Sequence, residues 1–316
     1  MSAGLVEDVL SGRVTAIARM ITRLENGSPP AGDDVGAVYR AGGRARLIGI
    51  TGSPGSGKST LVAALTKVFR GKGKTVGIVA VDPTSPYSGG AILGDRIRMD
   101  SFTGDPGVFI RSMATRGALG GLARATSDAV AVLDAAGFQI VMIETVGVGQ
   151  DEVEIVRACH SVLVVSAPGM GDDIQAIKAG VIEIADLHVV NKADRDGASK
   201  TVAELKTMLN LSGATPAKGW KPPVLATVAA TGEGVAELAG KLSEHEAWQR
   251  ESGGLEQREA AIAAARIRSI ATGLLLDGLD DPANKVGFEA AVERVRKREV
   301  DPSAAARELI EGVVAR

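Results

Sequence analysis

The sequence predicts an α/β fold, a mainly parallel sheet flanked by helices, with helical extensions at both ends. Three observations predict it. Apolar runs of strand length alternate with helical segments through the middle of the chain. One of the first turns is glycine-rich, in a strand–loop–helix context. Each polar motif falls just past the carboxyl end of an apolar run, where open parallel sheets bind ligands. The expected organisation is a helical extension over 1–44, a nucleotide-binding α/β domain over 45–246 and a helical dimerisation region over 247–316.

Residues 1 to about 27 read as helical, because Val6, Val9 and Leu10, then Ile17, Met20, Ile21 and Leu24, recur at helical spacing. Gly27-Ser28-Pro29-Pro30-Ala31-Gly32 stops that pattern. The segment 35–43 reads as a short connector. These helices can pack on the main domain or on a partner chain. Candidate strands follow at Leu47–Thr51, Thr75–Val81, Val108–Ser112, Ile140–Ile143, Ser161–Ser166, Leu187–Asn191 and Val224–Val228. Beyond about residue 246 the rhythm stops. Ile267, Ile270 and Leu274 form one helical stripe, and Phe288, Ala291, Val292 and Val295 another. Asp281-Pro282 and Asp301-Pro302 each read as an N-cap followed by a first-turn proline. Such stripes either fold back on the core or dimerise, and dimerisation is the expectation.

The first strand runs into Gly52-Ser53-Pro54-Gly55-Ser56-Gly57-Lys58-Ser59-Thr60, a Gly-x-x-x-x-Gly-Lys-Ser phosphate loop. Its glycines let successive N–H groups converge on a phosphate, and the following helix adds the positive end of its dipole. Lys58 can reach β- and γ-phosphates, and the Ser59 hydroxyl can ligate Mg²⁺. The class is therefore a P-loop NTPase. Asp82, in Val81-Asp82-Pro83-Thr84-Ser85-Pro86, stands where a carboxylate can hold Mg²⁺ directly or through water, and Asp95 is a second candidate; capping or a surface turn is the alternative for both.

Glu144 ends the fourth strand as an acidic Walker B residue, and Gly147, three residues later, can offer its N–H to a γ-phosphate. Many GTPases place a Gln directly after this glycine to orient the attacking water. Val148 stands there in this chain, with Gln150 two residues on. Slow intrinsic turnover, accelerated by a partner, is the expectation. The next strand leads into Asp172, Asp173, Gln175 and Lys178, a glycine-flanked loop whose carboxylates either cap a helix or serve as a switch. Asn191-Lys192-Ala193-Asp194 is the Asn-Lys-x-Asp pattern for guanine. A carboxylate at Asp194 accepts from N1–H and the 2-amino group, a donor pair that adenine lacks. After the last strand, Val228-Ala229 stands in place of the usual Ser-Ala, keeping a backbone contact at Ala229 to the base and losing a serine side chain, and Ala230 follows as a further nucleotide-binding candidate.

Composition narrows the classes further. A net charge of −2 gives no electrostatic case for binding nucleic acid or an anionic membrane. No apolar run approaches membrane-spanning length and no secretory leader opens the chain. A lone cysteine, Cys159, rules out an intrachain disulfide and fits a reducing cytoplasm. Aromatics are only 3%, so the core must rest on aliphatic side chains.

These motifs, with Gly89-Gly90-Ala91-Ile92-Leu93-Gly94-Asp95-Arg96, Glu144-Thr145-Val146-Gly147-Val148-Gly149-Gln150 and Ala167-Pro168-Gly169-Met170-Gly171-Asp172-Asp173, resemble the MeaB, ArgK and MMAA family of P-loop GTPases over nearly the whole chain. The resemblance implies a homodimeric GTPase that gates cobalamin delivery to adenosylcobalamin-dependent methylmalonyl-CoA mutase and protects that enzyme. It implies GTP or GDP with Mg²⁺ as cofactors, and Lys58, Ser59, Asp82, Asp95 and Glu144 as phosphate and metal residues. It makes the loop with Asp172, Asp173, Gln175 and Lys178 the switch facing the mutase. Rival readings are a kinase of an amino-acid transport system, a nickel- or zinc-inserting metallochaperone, and a nucleotide-gated binding module with incidental hydrolysis. Arg96, Arg98, Arg111 and Arg116 are candidates for an arginine finger in cis.

Overall fold

The computed structural model describes residues 3–26, 34–82, 102, 104–114, 121–145, 158–169, 185–211 and 219–314. All seven expected strands form: β1 (Arg46–Gly52), β2 (Val76–Asp82), β3 (Val108–Ala114), β4 (Ile140–Thr145), β5 (Ser161–Ser166), β6 (Leu187–Asn191) and β7 (Val224–Thr227). Ten helices accompany them among the described residues: α1 (Ala3–Leu10), α2 (Val14–Glu25), α3 (Asp34–Ala41), α4 (Lys58–Gly71), α5 (Gly121–Ala135), α6 (Ala198–Leu211), α7 (Val235–Glu251), α8 (Gly254–Asp280), α9 (Lys285–Arg296) and α10 (Pro302–Val314). The strands pair in the order β3-β2-β4-β1-β5-β6-β7, every pair parallel.

Period-two alternation builds a core on each face of this sheet. Val79, Val81, Val141 and Ile143 point to one side, where they meet Ile17, Met20 and Ile21 of α2 and Leu133 of α5. Ile78, Met142, Ile48, Ile50 and Leu163 point to the other, against Leu61 and Leu65 of α4 and Leu238 and Leu242 of α7. Strands buried on both faces read as near-continuous aliphatic runs, which is why the sheet is visible in the sequence.

The amino-terminal helices pack on the main domain, because Val6, Val9, Ile17, Met20 and Val38 belong to the first core. Ser11-Gly12 separates α1 from α2, with Gly12 at a left-handed φ of 76°. The segment read as a connector over 35–43 is largely the helix α3. Eight residues are too few to hold a helix by propensity, and burial of Val38 against the core supplies what local sequence does not.

Two compact units divide the chain, Met1–Ala263 and Ala264–Arg316. In the second unit, Asp301-Pro302 starts α10 as expected, with Asp301 Oδ1 accepting the N–H groups of Ser303 and Ala304 at 2.9 and 3.1 Å. Asp281-Pro282 does not start a helix. Asp281 Oδ1 closes a local turn on Ala283 N–H at 2.7 Å, and α9 begins later with Asn284 as its cap position. Phe288 and Val292 stay exposed on α9 while Ala291 is buried. No helix among the described residues is long and apolar enough to cross a membrane.

Candidate functional site

The parallel register determines which strand ends meet. β1 lies between β4 and β5, with Ile50 opposite Glu144 and Gly52 opposite Val165. The loop after β1 is therefore flanked by the ends of both neighbours. Gly52 has φ 142°, and a Cβ there would lie 2.0 Å from the Val165 carbonyl oxygen. Gly57 has φ 89°, and a Cβ there would lie 2.5 Å from Asn191 Nδ2. Both positions require glycine, one for close approach to β5 and the other to admit Asn191 against the loop.

Within this loop Lys58 is buried, and its Nζ donates to the carbonyl oxygens of Gly52 at 2.9 Å and Ser53 at 3.0 Å. The ammonium thus lies across the concavity that Ser53, Pro54, Gly55 and Ser56 frame ahead of α4. Ser59 Oγ donates to Glu144 Oε1 at 2.6 Å, with both side chains buried. A hydroxyl and a carboxylate converging at a helix start form a hard-oxygen donor pair of the kind Mg²⁺ takes. Thr60 continues the first turn of α4. Asp82 ends β2, two strands from β1 with β4 between them, opposite Ala114 of β3. The side chain of Asp82, and all of Asp95, Gly147, Gln150, Asp172, Asp173, Gln175 and Lys178, lie outside the described residues.

Asn191 at the end of β6 joins two loops. Its Nδ2 donates to Ser56 O at 2.9 Å, while its Oδ1 accepts from Ala229 N–H at 3.0 Å and from the Thr227 hydroxyl at 3.2 Å. Lys192 adopts a left-handed φ of 57° and its Nζ donates to Gly55 O at 2.6 Å. The Asp194 carboxylate is exposed on the same loop, in reach of solvent. Ala229 N–H, expected at the base, is donated to Asn191 in this structure; Val228 is buried and closes a bridge to Glu233, and Ala230 is exposed. The structure thus brings Gly52–Thr60, Glu144, Asn191, Lys192 and Ala229 into one polar unit.

Sequence reasoning missed Thr227. It lies opposite Asn191 in the β6–β7 register, so its hydroxyl bonds the asparagine from the neighbouring strand. It stands one residue before the absent serine, and only the register reveals its reach. Arg111 is engaged away from the phosphate loop, by Glu25 and, at 3.2 Å, Thr22 of α2. Arg96, Arg98 and Arg116 lie outside the described residues. A soft-metal site finds no support in Cys159, which is fully buried with its thiol pushed up to about 12 by desolvation. Among the described residues no group of three or more His, Cys, Asp or Glu can hold a metal ion.

The model of the family described as methylmalonyl Co-A mutase-associated GTPase MeaB matches residues 17–282. A Pyrococcus abyssi protein, whose GTPase designation is provisional, is 46% identical over 98% of this chain and 96% of its own length. A Caenorhabditis elegans protein named methylmalonic aciduria type A homolog, mitochondrial, is 35% identical over 80% of this chain and 68% of its own. A solved structure titled LAO/AO transport system kinase superposes with a TM-score of 0.73 at 24% identity, covering 98% of this chain and 97% of that one, and so shares the fold. The match over residues 17–282 covers the glycine-rich loop after β1, the adjacent Glu144 strand and the Asn191 junction, and the chain belongs to the MeaB family of P-loop GTPases.

Proposed function

We propose that this chain is a slow GTPase switch that chaperones an adenosylcobalamin-dependent mutase of the methylmalonyl-CoA type, gating cobalamin loading and protecting the loaded enzyme. The observation that carries the guanine-nucleotide part is Asn191, whose one amide bonds the phosphate loop and the base loop together. The mutase part rests on the family description and on the methylmalonic aciduria name of a relative.

On this reading Asp194 selects guanine through N1–H and the 2-amino group, and the Lys192 stem covers one face of the base. Lys58 exchanges the Gly52 and Ser53 carbonyl oxygens for β- and γ-phosphate oxygens. Ser59 and Glu144, with Asp82 and Asp95, hold Mg²⁺, which when bound neutralises developing phosphate charge. Ser59 and Glu144, bonded to each other in this structure, would each supply an oxygen to that ion. Gly147 N–H senses the γ-phosphate. Val148 at the usual glutamine position leaves water orientation to Gln150 or to a group the partner brings. The loop with Asp172, Asp173, Gln175 and Lys178 carries the state to the mutase, and residues 247–316 dimerise in the cytoplasm.

The decisive experiment is a pull-down of a cobalamin-dependent mutase by this chain, loaded with GDP or with a non-hydrolysable GTP analogue, together with GTP turnover with and without the mutase. Nucleotide-dependent capture and faster turnover are expected. Equal capture in both states defeats the chaperone mechanism, and rapid single-turnover hydrolysis by the isolated chain defeats the slow switch. GDP binding without comparable ADP binding separates this reading from an ATP-using kinase.

A further inference from the structure

The amino-terminal end of the sheet carries a second polar site, at the far end of β1 from the phosphate loop. Arg46 opens β1 and is only 9% exposed. Its Nη2 donates to two neutral oxygens, Ser161 Oγ at 2.7 Å and Gln249 Oε1 at 2.6 Å. Among the described residues its Nη1 is buried with no hydrogen-bond partner. Desolvation lowers its pKa to about 10, with Glu246 and Asp186 opposing that only through longer-range attraction. A buried guanidinium that lacks a bonded carboxylate is costly, and an oxyanion relieves that cost better than any neutral group.

A cleft of about 400 Å³ lies against this arginine. Arg44 and Lys74 stand on its rim, both exposed, and Gln139 lines its wall. The two acids that also line it are already engaged. Asp134 accepts the N–H groups of Gly43, Arg44 and Ala45, and Glu246 accepts from Arg250 at 2.9 Å. Three cations from two chain segments, Arg44 and Arg46 at the entry to β1 and Lys74 ahead of β2, thus face a cleft whose carboxylates have other partners.

We propose that this cleft binds a small molecule through an oxyanion group, carboxylate or phosphate, held by Lys74, Arg44 and Arg46. The site is separate from the nucleotide site and does not depend on the function proposed above. Arg46 also supplies a reporter. Ser161 Oγ lies 2.8 Å from His245 Nδ1, and the His245 ring stacks on Trp248 and contacts Trp220 with ring centroids 5.6 and 4.7 Å apart. These are both tryptophans of the chain.

The test uses the full chain saturated with GDP and Mg²⁺, so that the phosphate loop is filled. Inorganic phosphate and malonate are titrated at constant ionic strength while tryptophan fluorescence and the thermal midpoint are followed. A saturable change is expected, weakened about tenfold in Lys74→Gln and in Arg44→Gln and retained in Lys74→Arg, with GDP affinity the same in all. Tighter binding of phosphate assigns a phosphoryl ligand, and tighter binding of malonate a carboxylate. A linear response, or an equal saturable response in Lys74→Gln and Arg44→Gln, overturns the proposal.

Discussion

Replacing Asn191 by alanine tests whether the base loop and the phosphate loop act as one unit. The substitution strands three groups in a buried setting: the Ser56 carbonyl oxygen, the Ala229 N–H and the Thr227 hydroxyl. A buried polar group left without its partner costs about 1–3 kcal/mol. The threonine hydroxyl can turn to another acceptor, so the carbonyl and the N–H dominate and the loss comes to about 2–6 kcal/mol. That loss is divided between the native fold and the nucleotide complex. If most of it falls on the complex, GDP affinity drops by a factor of about thirty or more. Asn191→Asp sharpens the test. It keeps the acceptor for Ala229 and Thr227 but sets a second oxygen against Ser56 O, so it is expected to bind GDP no better than the alanine variant. Calorimetric GDP titration and urea unfolding on the same samples measure both shares. GDP affinity within about threefold of the parent, with an unchanged unfolding midpoint, refutes the coupling.

Other perturbations follow from the same geometry. Thr227→Val removes one hydroxyl bond to Asn191 and is expected to cost about 0.5–1.5 kcal/mol in urea unfolding, with GDP affinity falling in the same direction. Gly57→Ala places a Cβ 2.5 Å from Asn191 Nδ2 at a φ of 89° and is expected to abolish GDP binding, measured by the same titration. Glu144→Gln keeps an oxygen for Ser59 but removes the negative charge; the gain in GTP affinity on adding Mg²⁺ is expected to shrink about tenfold, while affinity in EDTA stays the same. The chain's three histidines provide a pH test. Desolvation lowers His160 and His245 to about 3 and His188 to about 4, with Arg46 and Arg258 adding to it at the first two. The unfolded chain therefore binds more protons than the folded one between about pH 4 and pH 6.5, and stability falls as pH falls through that window. From pH 7.5 to 5.5 the loss comes to about 1.4 kcal/mol per histidine, or about 4 kcal/mol together, read as a shift in the urea midpoint. A midpoint that does not change over that range refutes the burial of neutral imidazoles.

The sheet was legible because parallel strands covered on both faces are near-continuous apolar runs, as in residues 140–143 and 162–165, and because turns punctuate them. The phosphate loop and the Asn191 motif were legible because their chemistry needs a contiguous run of residues. What was not legible depends on register or on tertiary burial. The helix α3 has no strong local signal and exists through Val38. Asp281-Pro282 and Asp301-Pro302 are alike in sequence, yet only the second caps a helix directly; the first closes a turn that delays α9 to Lys285. Thr227 meets Asn191 only through the pairing of β6 with β7, and Arg46 meets Ser161 and Gln249 across more than a hundred residues of chain.

The polar groups of the proposed nucleotide site hold protein partners. Lys58 bonds Gly52 and Ser53, Lys192 bonds Gly55, Ser59 bonds Glu144, and Asn191 bonds both loops. Binding at Lys58 and Ser59 is then an exchange of hydrogen bonds, and an exchange contributes far less net free energy than a new bond to a desolvated group. Charge decides which exchanges are favourable. On the proposed reading the Lys58 ammonium would gain by trading two neutral carbonyl oxygens for phosphate oxygens, and the Ser59 hydroxyl and Glu144 carboxylate would gain by serving a divalent cation. Asn191 has no comparable gain to make from the nucleotide, so it keeps its protein bonds and acts as a fixed brace. The Asp194 carboxylate differs again, since it lies exposed with solvent as its competitor. If Asp194 selects guanine as proposed, discrimination has to come from excluding that solvent when the base docks, and it depends on the brace holding Ala229 and the phosphate loop in register while it does so.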